Sequence, residues 1–307
     1  MKKTRPRTRP KKKATNPDTF TVDQEGPLLE KIIAAFPHKS RKLLKAVLRD
    51  QQVQVNRKTV TQFDHLLKPG QVVEVSWDKS SPKKRPHGLN IIFEDDDIII
   101  INKPAGLLTV ATDKEKRKTA YALLSEYVKL ENPENKIFIV HRIDRETSGL
   151  LLFAKNEKIK HTIQETWLTT IRERTYIAAV EGEIKQESGT ISSYLNESKA
   201  FIVYSSQNPK AGKKAITHYK TLKSNKDFSL LQVNLETGRK HQIRVHMQDI
   251  GHPVVGDTKY GSKLKPIGRL GLHAQGLVFT HPKTGELCSF KTGIPAKITQ
   301  LFDQDQE

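Results

Sequence analysis

The sequence predicts an α+β fold: a mixed, largely antiparallel central sheet with flanking helices and loops, preceded by a small α/β domain. Two observations support this prediction. Apolar strand-like runs follow one another with few helical runs between them, whereas a doubly wound fold alternates strands and helices regularly. The length of 307 residues suggests about two domains. The strand-like runs are residues 97–102, 137–140, 150–154, 176–182, 202–204, 217–222 and 228–235.

Changes in composition divide the chain into a small and a large unit. Residues 79–87 are basic and contain two prolines, which is typical of a linker. We therefore predict a small unit over residues 23–78 and a large unit over residues 88–300. Residues 1–22 are predicted to be a disordered tail, because they are basic and lack apolar periodicity. Residues 301–307 are predicted to be a C-terminal tail.

The charge balance points to a polyanionic partner. The chain has 53 Lys and Arg against 34 Asp and Glu, for a net charge of +19, and residues 1–13 contain eight basic residues and no acid. Such an excess favours nucleic acid. A membrane surface is disfavoured, because no basic amphipathic helix with an aromatic face is visible. A tail that serves only solubility is the alternative for residues 1–13.

Several classes of protein are disfavoured by what the sequence lacks. The single cysteine, Cys288, excludes a disulfide scaffold and a clustered-thiolate metal site. No apolar run approaches the roughly 18–20 residues of a membrane span, and no secretory h-region follows the basic N-terminus. Neither a phosphate-binding or dinucleotide glycine motif nor a His-Glu-x-x-His zinc motif is present. We therefore expect a cytoplasmic, monomeric protein without a metal or cofactor.

The small unit is predicted to contain a helix pair with one basic face. Leu28 to Phe36 show helical spacing, and Ser40 can cap a second helix. The second helix carries an apolar stripe of Leu43, Leu44, Val47 and Leu48, and opposite it the basic residues Arg41, Lys42, Lys45 and Arg49. Like charges in one row weaken an isolated helix. We therefore expect this row to bind RNA phosphates, with a merely solvated face as the alternative.

This unit resembles the S4 RNA-binding domain over about 50 residues. The matching run extends from Ser40-Arg-Lys through Val53-Gln-Val-Asn56 to Lys68-Pro-Gly-Gln-Val-Val-Glu-Val75. It departs from the family at turn positions: glycine is usual near Gln51 and at Arg57, and aspartate at Gln71. The resemblance implies an RNA-binding role for the small unit.

An acidic run, Glu94-Asp-Asp-Asp97, stands between Ile91-Ile-Phe93 and the buried strand predicted from Ile98 to Ile101. A metal site and a hairpin turn are the two interpretations. Consecutive carboxylates on an extended segment point to alternate faces, so we predict a hairpin turn.

A polar loop between two apolar strands is the first candidate site. Residues 137–140 and 150–154 flank it, and Asp144 stands in it between Arg142 and Arg145. A rigid sheet that presents a polar loop is a common way to position reacting groups. The residues alone leave two alternatives, a reactive carboxylate and a structural ion pair.

A basic helix start is the second candidate site. Ile243, Met247 and Ile250 fall on one face of a predicted helix, which Gly251 and Pro253 end. Arg239, Lys240, His241 and Arg244 crowd its first turn, where the helix dipole favours an anion. This cluster predicts either a phosphate site or a partner for a buried carboxylate.

Taken together, these runs resemble the RluA-type family of RNA pseudouridine synthases over nearly all of residues 88–300. His141-Arg-Ile-Asp-Arg-Glu-Thr-Ser-Gly149 is close to the family's signature, with Ile143 where leucine is commoner. The other matching motifs are Asn102-Lys-Pro-Ala-Gly106, Arg174-Thr-Tyr176, Thr237-Gly-Arg-Lys-His-Gln-Ile-Arg244, Gly251-His-Pro-Val-Val-Gly-Asp257 and Leu272-His-Ala-Gln-Gly-Leu-Val-Phe-Thr-His-Pro282. An S4 domain ahead of the catalytic domain is also a family arrangement. The resemblance implies the pseudouridine synthase fold and activity.

The resemblance also implies roles for individual residues. Asp144 would be the essential carboxylate, which either attacks C1′ or removes the C2′ proton to give a glycal. Arg244 would keep that carboxylate ionised. The ring of Tyr176 would lie beneath the flipped uracil, although a core tyrosine is the alternative.

The remaining implied roles concern substrate binding. Ile243 would pack on the base, and Arg239 and His241 would help to bind the substrate. Arg142 would fill the gap left in the RNA stack, with an ion pair to Glu146 or Asp144 as the alternative. No cofactor is implied, because the isomerisation involves no redox change.

The expected substrate is large-subunit ribosomal RNA. Transfer RNA is the nearer alternative, and a non-catalytic RNA-binding or ribosome-assembly factor is the more distant one. The target uridine depends on RNA shape and loop contacts.

Overall fold

The computed structural model describes residues 17–50, 52–56, 58–77 and 88–303. The chain divides into two compact units, Met1–Lys84 and Arg85–Glu307. The predicted linker, residues 79–87, lies outside the described residues, as do residues 1–16 and 304–307. No helix in the described part of the chain is long and apolar enough to cross a membrane.

The small unit contains a helix pair and two small sheets. Its elements are β1 (Asp18–Thr21), β2 (Gly26–Pro27), α1 (Leu28–Ala35), α2 (Arg41–Arg49), β3 (Val53–Val55), β4 (Lys58–Thr59), β5 (Leu66–Leu67) and β6 (Val72–Val75). One sheet has the order β1-β6-β3-β4, and β2 pairs with β5. The predicted cap is confirmed, since Ser40 Oγ accepts from Leu43 N at 3.2 Å. A serine in this position satisfies an otherwise unpaired N–H of the first helical turn.

Two details of the predicted small unit are wrong. The disordered tail was expected to extend to residue 22, but β1 pairs antiparallel with β6. The ring of Phe20 packs edge-on against Phe36 with centroids 5.9 Å apart, which gives this strand an apolar anchor. In α2, Leu44, Val47 and Leu48 are buried as predicted, but Leu43 is 38% exposed.

The large unit is built on one sheet. Within residues 88–303, eleven strands pair in the order β13-β12-β14-β15-β11-β16-β10-β8-β7, with β17 added at β16 and β9 at β10. The pairings are antiparallel except β10 with β16, which is parallel. The strands are β7 (Asn90–Glu94), β8 (Ile98–Lys103), β9 (Phe138–Ile139), β10 (Ser148–Ala154), β11 (Ile171–Glu181), β12 (Ser188–Glu197), β13 (Val203–Ser206), β14 (Lys213–Ser224), β15 (Phe228–Leu235), β16 (Leu272–Thr280) and β17 (Leu287–Lys291). The predicted mixed, largely antiparallel sheet is confirmed.

Helices cover this sheet and explain its continuous apolar strands. They are α3 (Ala120–Glu131), α4 (Glu157–Glu165), α5 (Trp167–Thr170), α6 (Gln242–Asp249) and α7 (Ala296–Thr299). Successive side chains of a strand point to opposite faces. Ile99 and Ile101 accordingly share one core with Leu124 of α3. Ile98 and Ile100 share another core with residues of α4, so both faces of β8 are buried.

The C-terminal boundary predicted for the large unit is too early. Residues 301–307 were expected to be a tail, yet Phe302 is only 2% exposed and packs in a core with Ile298. The apolar residues of this last turn therefore belong to the folded unit.

The acidic run forms the predicted hairpin turn between β7 and β8. Asp95 closes the turn: its N–H donates to Ile98 O at 3.1 Å, and its Oδ1 accepts from the N–H groups of Asp97 and Ile98, both at 2.8 Å. Protein cations neutralise the acids, since Lys155 lies 3.0 Å from Glu94 and Lys283 lies 3.0 Å from Asp97.

Candidate active site

The loop that carries Asp144 lies between β9 and β10. It leads into β10, the strand that pairs with both β8 and β16. Gly149 makes this placement possible. It has φ +116, and a Cβ at this position would lie 2.1 Å from the carbonyl oxygen of Ala274. Only glycine combines that backbone angle with such a close approach. β10 can therefore pair directly with β16, which fixes where the preceding loop emerges.

A buried lysine ties this loop to the segment that follows β8. Lys103 is fully buried, and its Nζ donates to the carbonyl oxygens of Pro104 (3.0 Å), Leu107 (2.7 Å) and Arg145 (3.0 Å). Burial lowers its pKa to about 8, despite the opposing charges of Glu146 and Asp144. On the other side of Asp144, Thr109 Oγ1 donates to Ile143 O at 2.8 Å. The backbone is thus held both before and after Asp144.

Asp144 lies in a cleft and faces an arginine that is anchored from behind. Arg244 Nη1 donates to Asp144 Oδ2 at 3.3 Å. The same guanidinium makes two hydrogen bonds to Asp257, from Nε at 2.6 Å and from Nη2 at 2.8 Å. Burial favours a lower pKa for Arg244, but the bonds and charge of Asp257, followed by those of Asp144, raise it. This cation is permanent, and its direction is fixed by Asp257.

Of the two interpretations of the basic helix start, the buried-carboxylate partner is correct for Arg244. Two neighbouring cations contact other groups: Lys240 pairs with Glu197, and Arg239 donates one hydrogen bond, from Nε to Lys214 O at 3.0 Å. Arg239 is exposed on the rim of the cleft.

His241 is the residue immediately before α6, and its ring faces the same carboxylate. Its Nε2 lies 3.9 Å from Asp144 Oδ2, and its Nδ1 lies 2.7 Å from the hydroxyl of Tyr260. Burial lowers the pKa of His241 to about 4, although the charge of Asp144 opposes the shift. The imidazole is therefore neutral at pH 7.

The cleft has a volume of about 490 Å³ and combines a polar end with apolar walls. Such a volume falls in the range of small-ligand sites, roughly 300–1,000 Å³. Tyr176 and Ile243 line it together with Asp144. Burial raises the pKa of Tyr176, an effect that nearby Arg174 opposes. The ring of Tyr176 is partly buried and packs against two apolar cores while it also lines the cleft.

Arg142 also lines the cleft and is exposed. Its side chain forms neither a hydrogen bond nor an ion pair with the part of the chain that the structure describes. The alternative in which Arg142 pairs with Glu146 or Asp144 is therefore wrong. Arg145, not Arg142, lies near Glu146, at 3.5 Å.

Sequence analysis missed one wall of the cleft. Trp167 of α5 packs between His141, with ring centroids 5.4 Å apart, and the guanidinium of Arg174, 5.6 Å from the ring centroid. Burial lowers the pKa of His141 to about 3, assisted by the charge of Arg174. Its Nε2 accepts from the backbone N–H of Leu152 at 3.1 Å. The only sequence signal for this wall was a tryptophan shortly before a motif tyrosine.

One group of residues in the described ranges could hold a metal ion by geometry alone. Ligand atoms of Asp95, Asp97 and His281 lie within 4.8 Å of one another. His281 already lies 3.1 Å from Asp95, and Lys283 lies 3.0 Å from Asp97. The group lies on the hairpin turn and not in the cleft, and these ion pairs account for its arrangement.

Comparison with known proteins identifies the family of this fold and cleft. Residues 97–249 match the RNA pseudouridylate synthase family. The chain is 33% identical to the uncharacterized RNA pseudouridine synthase YhcT of Bacillus subtilis, over 91% of this chain and 93% of the relative. It is 31% identical to ribosomal large subunit pseudouridine synthase D of Neisseria meningitidis, over 92% of this chain and 80% of the relative. It is 35% identical to tRNA pseudouridine synthase C of Haemophilus ducreyi, over 70% of this chain and 95% of the relative.

The fold agrees with this assignment. Human RNA pseudouridylate synthase domain containing 4 superimposes with a TM-score of 0.58 at 22% identity, covering 68% of this chain and 90% of that one. The fold is thus that of a pseudouridine synthase, and the curated relatives place the chain in the class of RNA-modifying isomerases. The chain belongs to the RluA-type family of RNA pseudouridine synthases.

Proposed function

We propose that this protein isomerises specific uridines of large-subunit ribosomal RNA to pseudouridine, with Asp144 as the essential carboxylate. The observation that carries the proposal is the position of Asp144. It lies in the cleft with Arg244 at 3.3 Å, and Arg244 is itself anchored on Asp257. An adjacent cation favours the ionised form of a carboxylic acid. An ionised carboxylate is what both possible first steps require.

The chemistry needs no group from outside the chain. The C1′–N1 bond breaks, the uracil rotates, and C1′ joins C5, after which C5 loses its proton and N1 gains one. In the first step Asp144 either forms a bond to C1′, which breaks again when C1′ joins C5, or accepts the C2′ proton, which returns to C2′ when C1′ joins C5. The target nucleotide must leave its stack to reach the cleft, at a cost of a few kcal/mol.

The neighbouring residues are proposed to hold the flipped nucleotide. Tyr176 and Ile243 pack against the uracil, because their side chains line the cleft beside Asp144. Arg142 fills the gap in the RNA stack, a role suited to an exposed and uncommitted guanidinium, which is planar and can stack. Arg239 on the rim contacts a phosphate, and His241 contacts the nucleotide inside.

The small unit is proposed to be an S4-like domain that binds the same RNA. Its support is the exposed row Arg41, Lys42, Lys45 and Arg49 on α2, opposite a buried apolar face. Basic side chains arranged in this way bind phosphates without reading sequence.

Ribosomal RNA is favoured over transfer RNA by the extent of the alignments. The relative named for the large ribosomal subunit aligns with 92% of this chain, which is too much to leave the small unit out. The relative named for transfer RNA aligns with 70%. A cytoplasmic location follows from a ribosomal RNA substrate.

Mapping pseudouridines in total RNA tests this proposal. RNA from a strain that lacks the gene would be incubated with the purified wild-type protein or with Asp144→Asn. We expect the wild-type protein to create pseudouridine at one or a few positions of large-subunit ribosomal RNA. We expect Asp144→Asn to create none, a loss of at least about 10³-fold, because an amide is neither a nucleophile nor a base at this position.

Glu146→Gln is the matched control, because it removes an exposed carboxylate two residues away on the same loop. It should leave the modified positions unchanged. Pseudouridine found only in transfer RNA would overturn the substrate and leave the chemistry standing. RNA binding without any pseudouridine would instead favour the assembly-factor hypothesis.

A further inference from the structure

The turn that follows α6 supplies the anchors of two cleft residues. Asp257 holds Arg244, and three residues later Tyr260 holds His241. Tyr260 is 1% exposed, and its ring also lies against the guanidinium of Arg244, 4.9 Å from ring centroid to Cζ. Nothing in the established activity assigns a role to this tyrosine.

The hydrogen bonds around the Tyr260 hydroxyl determine where its proton points. The backbone N–H of Val203 donates to this oxygen at 3.1 Å. The other bond of the hydroxyl in the described structure joins it to Nδ1 of His241, at 2.7 Å. A phenol has one proton to donate. The backbone N–H can only donate, and the described structure gives the hydroxyl no other acceptor, so its proton is paired only when it is directed to Nδ1.

A neutral imidazole carries its proton on one nitrogen only. If Nδ1 accepts, Nε2 must carry the hydrogen, and Nε2 is the atom that faces Asp144 Oδ2 at 3.9 Å. The opposite tautomer would turn a lone pair toward a carboxylate. The two ends of the ring therefore favour the same tautomer.

The charged groups around this ring agree with a neutral histidine. Burial of the ring opposes its protonation most strongly, Asp144 favours it, and Arg244, Lys259 and Lys240 oppose it as burial does. The backbone of His241 is left-handed, with φ 55. A non-glycine residue in this conformation costs energy and persists only where its surroundings hold it. Its carbonyl accepts from Val245 N at 3.0 Å while its ring is bound to Tyr260.

We propose that Tyr260 is a positioning residue that fixes His241 in the Nε2–H tautomer, so that His241 presents a hydrogen-bond donor, and not a base, beside Asp144. In the substrate complex this N–H donates to an acceptor of the flipped nucleotide or to the carboxylate itself. The use of the donor rests on the proposed function, whereas the tautomer does not.

The tautomer can be observed directly in the full-length protein. Long-range ¹H–¹⁵N correlation spectra of protein labelled with ¹⁵N-histidine distinguish a protonated from an unprotonated ring nitrogen. The His241 signals would be assigned by their loss in His241→Gln. We expect Nε2 protonated and Nδ1 unprotonated at pH 7. A protonated Nδ1, in either the other tautomer or the imidazolium, would overturn the inference.

Tyr260→Phe tests the cause, because it keeps the ring and its contact with Arg244 while removing the hydroxyl. We expect the Nδ1–H population to rise and His241 to protonate at higher pH, since Nδ1 no longer accepts a bond. Tyr204→Phe is the control: its hydroxyl is exposed and bonded to Asn196, and His241 should not respond. Unchanged His241 signals in folded Tyr260→Phe would show that the hydroxyl does not set the tautomer.

Activity then shows whether the N–H is used. Glutamine can place an N–H near the position of Nε2, whereas leucine cannot. We expect His241→Gln to retain kcat within about 10-fold of wild type and His241→Leu to lose at least 10-fold more. Equal losses in both variants would overturn the donor role. Asp144→Asn, assayed in parallel, shows independently whether the proposed function itself fails.

Discussion

At the scale of single residues, the cleft depends on one guanidinium shared by two carboxylates. Asp257 is 2% exposed and takes two of the hydrogen bonds of Arg244, which leaves Nη1 for Asp144. A buried ion pair adds little net stability, because both ions lose their hydration. The contribution of Asp257 is therefore to orient Arg244. Its two bonds direct the charge of Arg244 toward Asp144 before any substrate arrives.

Tyr176 permits a test that separates its ring from its hydroxyl. Base–aromatic stacking contributes roughly 1–3 kcal/mol, so we expect Tyr176→Leu to lower kcat/KM by about 10- to 100-fold. Tyr176→Phe keeps the ring and should remain within about 10-fold of wild type. Steady-state release of tritium from C5-labelled RNA measures both variants.

Tyr121→Leu serves as the control for this pair, since Tyr121 is a partly exposed tyrosine of α3 and does not line the cleft. If Tyr176→Phe lost as much activity as Tyr176→Leu, the hydroxyl would be the important group, and a role in moving the C5 proton would replace stacking.

Sequence reasoning reached the residues of the cleft that stand in local motifs, and missed those brought there by tertiary structure. Asp144, Arg244 and Tyr176 each occupy a recognisable run and all line the cleft. Trp167 and Tyr260 stand in no such run. Their roles depend on the packing of α5 beside His141 and on the turn after α6, neither of which periodicity can predict.

At the scale of elements, helix α2 presents cations on one face and a core on the other. Arg41, Lys42 and Lys45 are exposed, and no acid lies within the helix. Arg49 differs from them, because its guanidinium makes two hydrogen bonds to Asp50. The first two turns of α2 are therefore the part most free to bind phosphates.

A salt titration tests this assignment. Each phosphate contact contributes about −0.7 to −0.9 to the slope of log K against log salt. We expect the double variant Arg41→Gln, Lys45→Gln to bind RNA more weakly and to reduce the slope by about 1.5. Fluorescence anisotropy with a fragment of ribosomal RNA, at salt concentrations from about 50 to about 200 mM, would measure this slope.

Lys68→Gln is the matched control for this experiment, because Lys68 is exposed in the same unit but lies outside α2. The assignment fails if the double variant keeps the wild-type slope, or if Lys68→Gln alone reduces it as much.

At the scale of the whole molecule, the strand order was beyond sequence reasoning, and β12, β16 and β17 were not among the predicted strand runs. Residues 228–235 were predicted as a strand and form β15 with the same bounds. The parallel pairing of β10 with β16 joins residues more than 120 positions apart. Its sign in the structure is Gly149, whose backbone approaches Ala274 too closely for a side chain. The C-terminal turn was missed because Phe302 becomes buried only through the fold.

The stability of the large unit is also expected to depend on pH, because the unit contains buried histidines. His246 and His273 are 0% and 2% exposed. Each ring is bonded to hydroxyls at both nitrogens, His246 to Ser193 and Thr217 and His273 to Ser148 and Thr292. Burial lowers the pKa of each to about 4, for His273 with help from Arg269.

An unfolded histidine has a pKa near 6.5, so below that pH the unfolded chain binds protons that the folded chain does not. The stability that these histidines contribute is therefore fully present above pH 6.5 and is lost as the pH falls from 6.5 toward 4. Each should contribute a slope of roughly 1.4 kcal/mol per pH unit in that window. We expect His246→Gln to lower the slope of unfolding free energy between pH 6 and 5, on the order of that amount.

Urea unfolding followed by the fluorescence of Trp167 measures this slope, with Trp77→Phe as the background so that only the large unit is observed. His161→Gln is the control, because the His161 side chain is 55% exposed. His246→Gln should change the slope more than this control does, and comparing slopes removes any constant loss of stability from the substitution. The same slope in His246→Gln as in the background would mean that His246 is protonated in the folded state, contrary to its buried and fully bonded position.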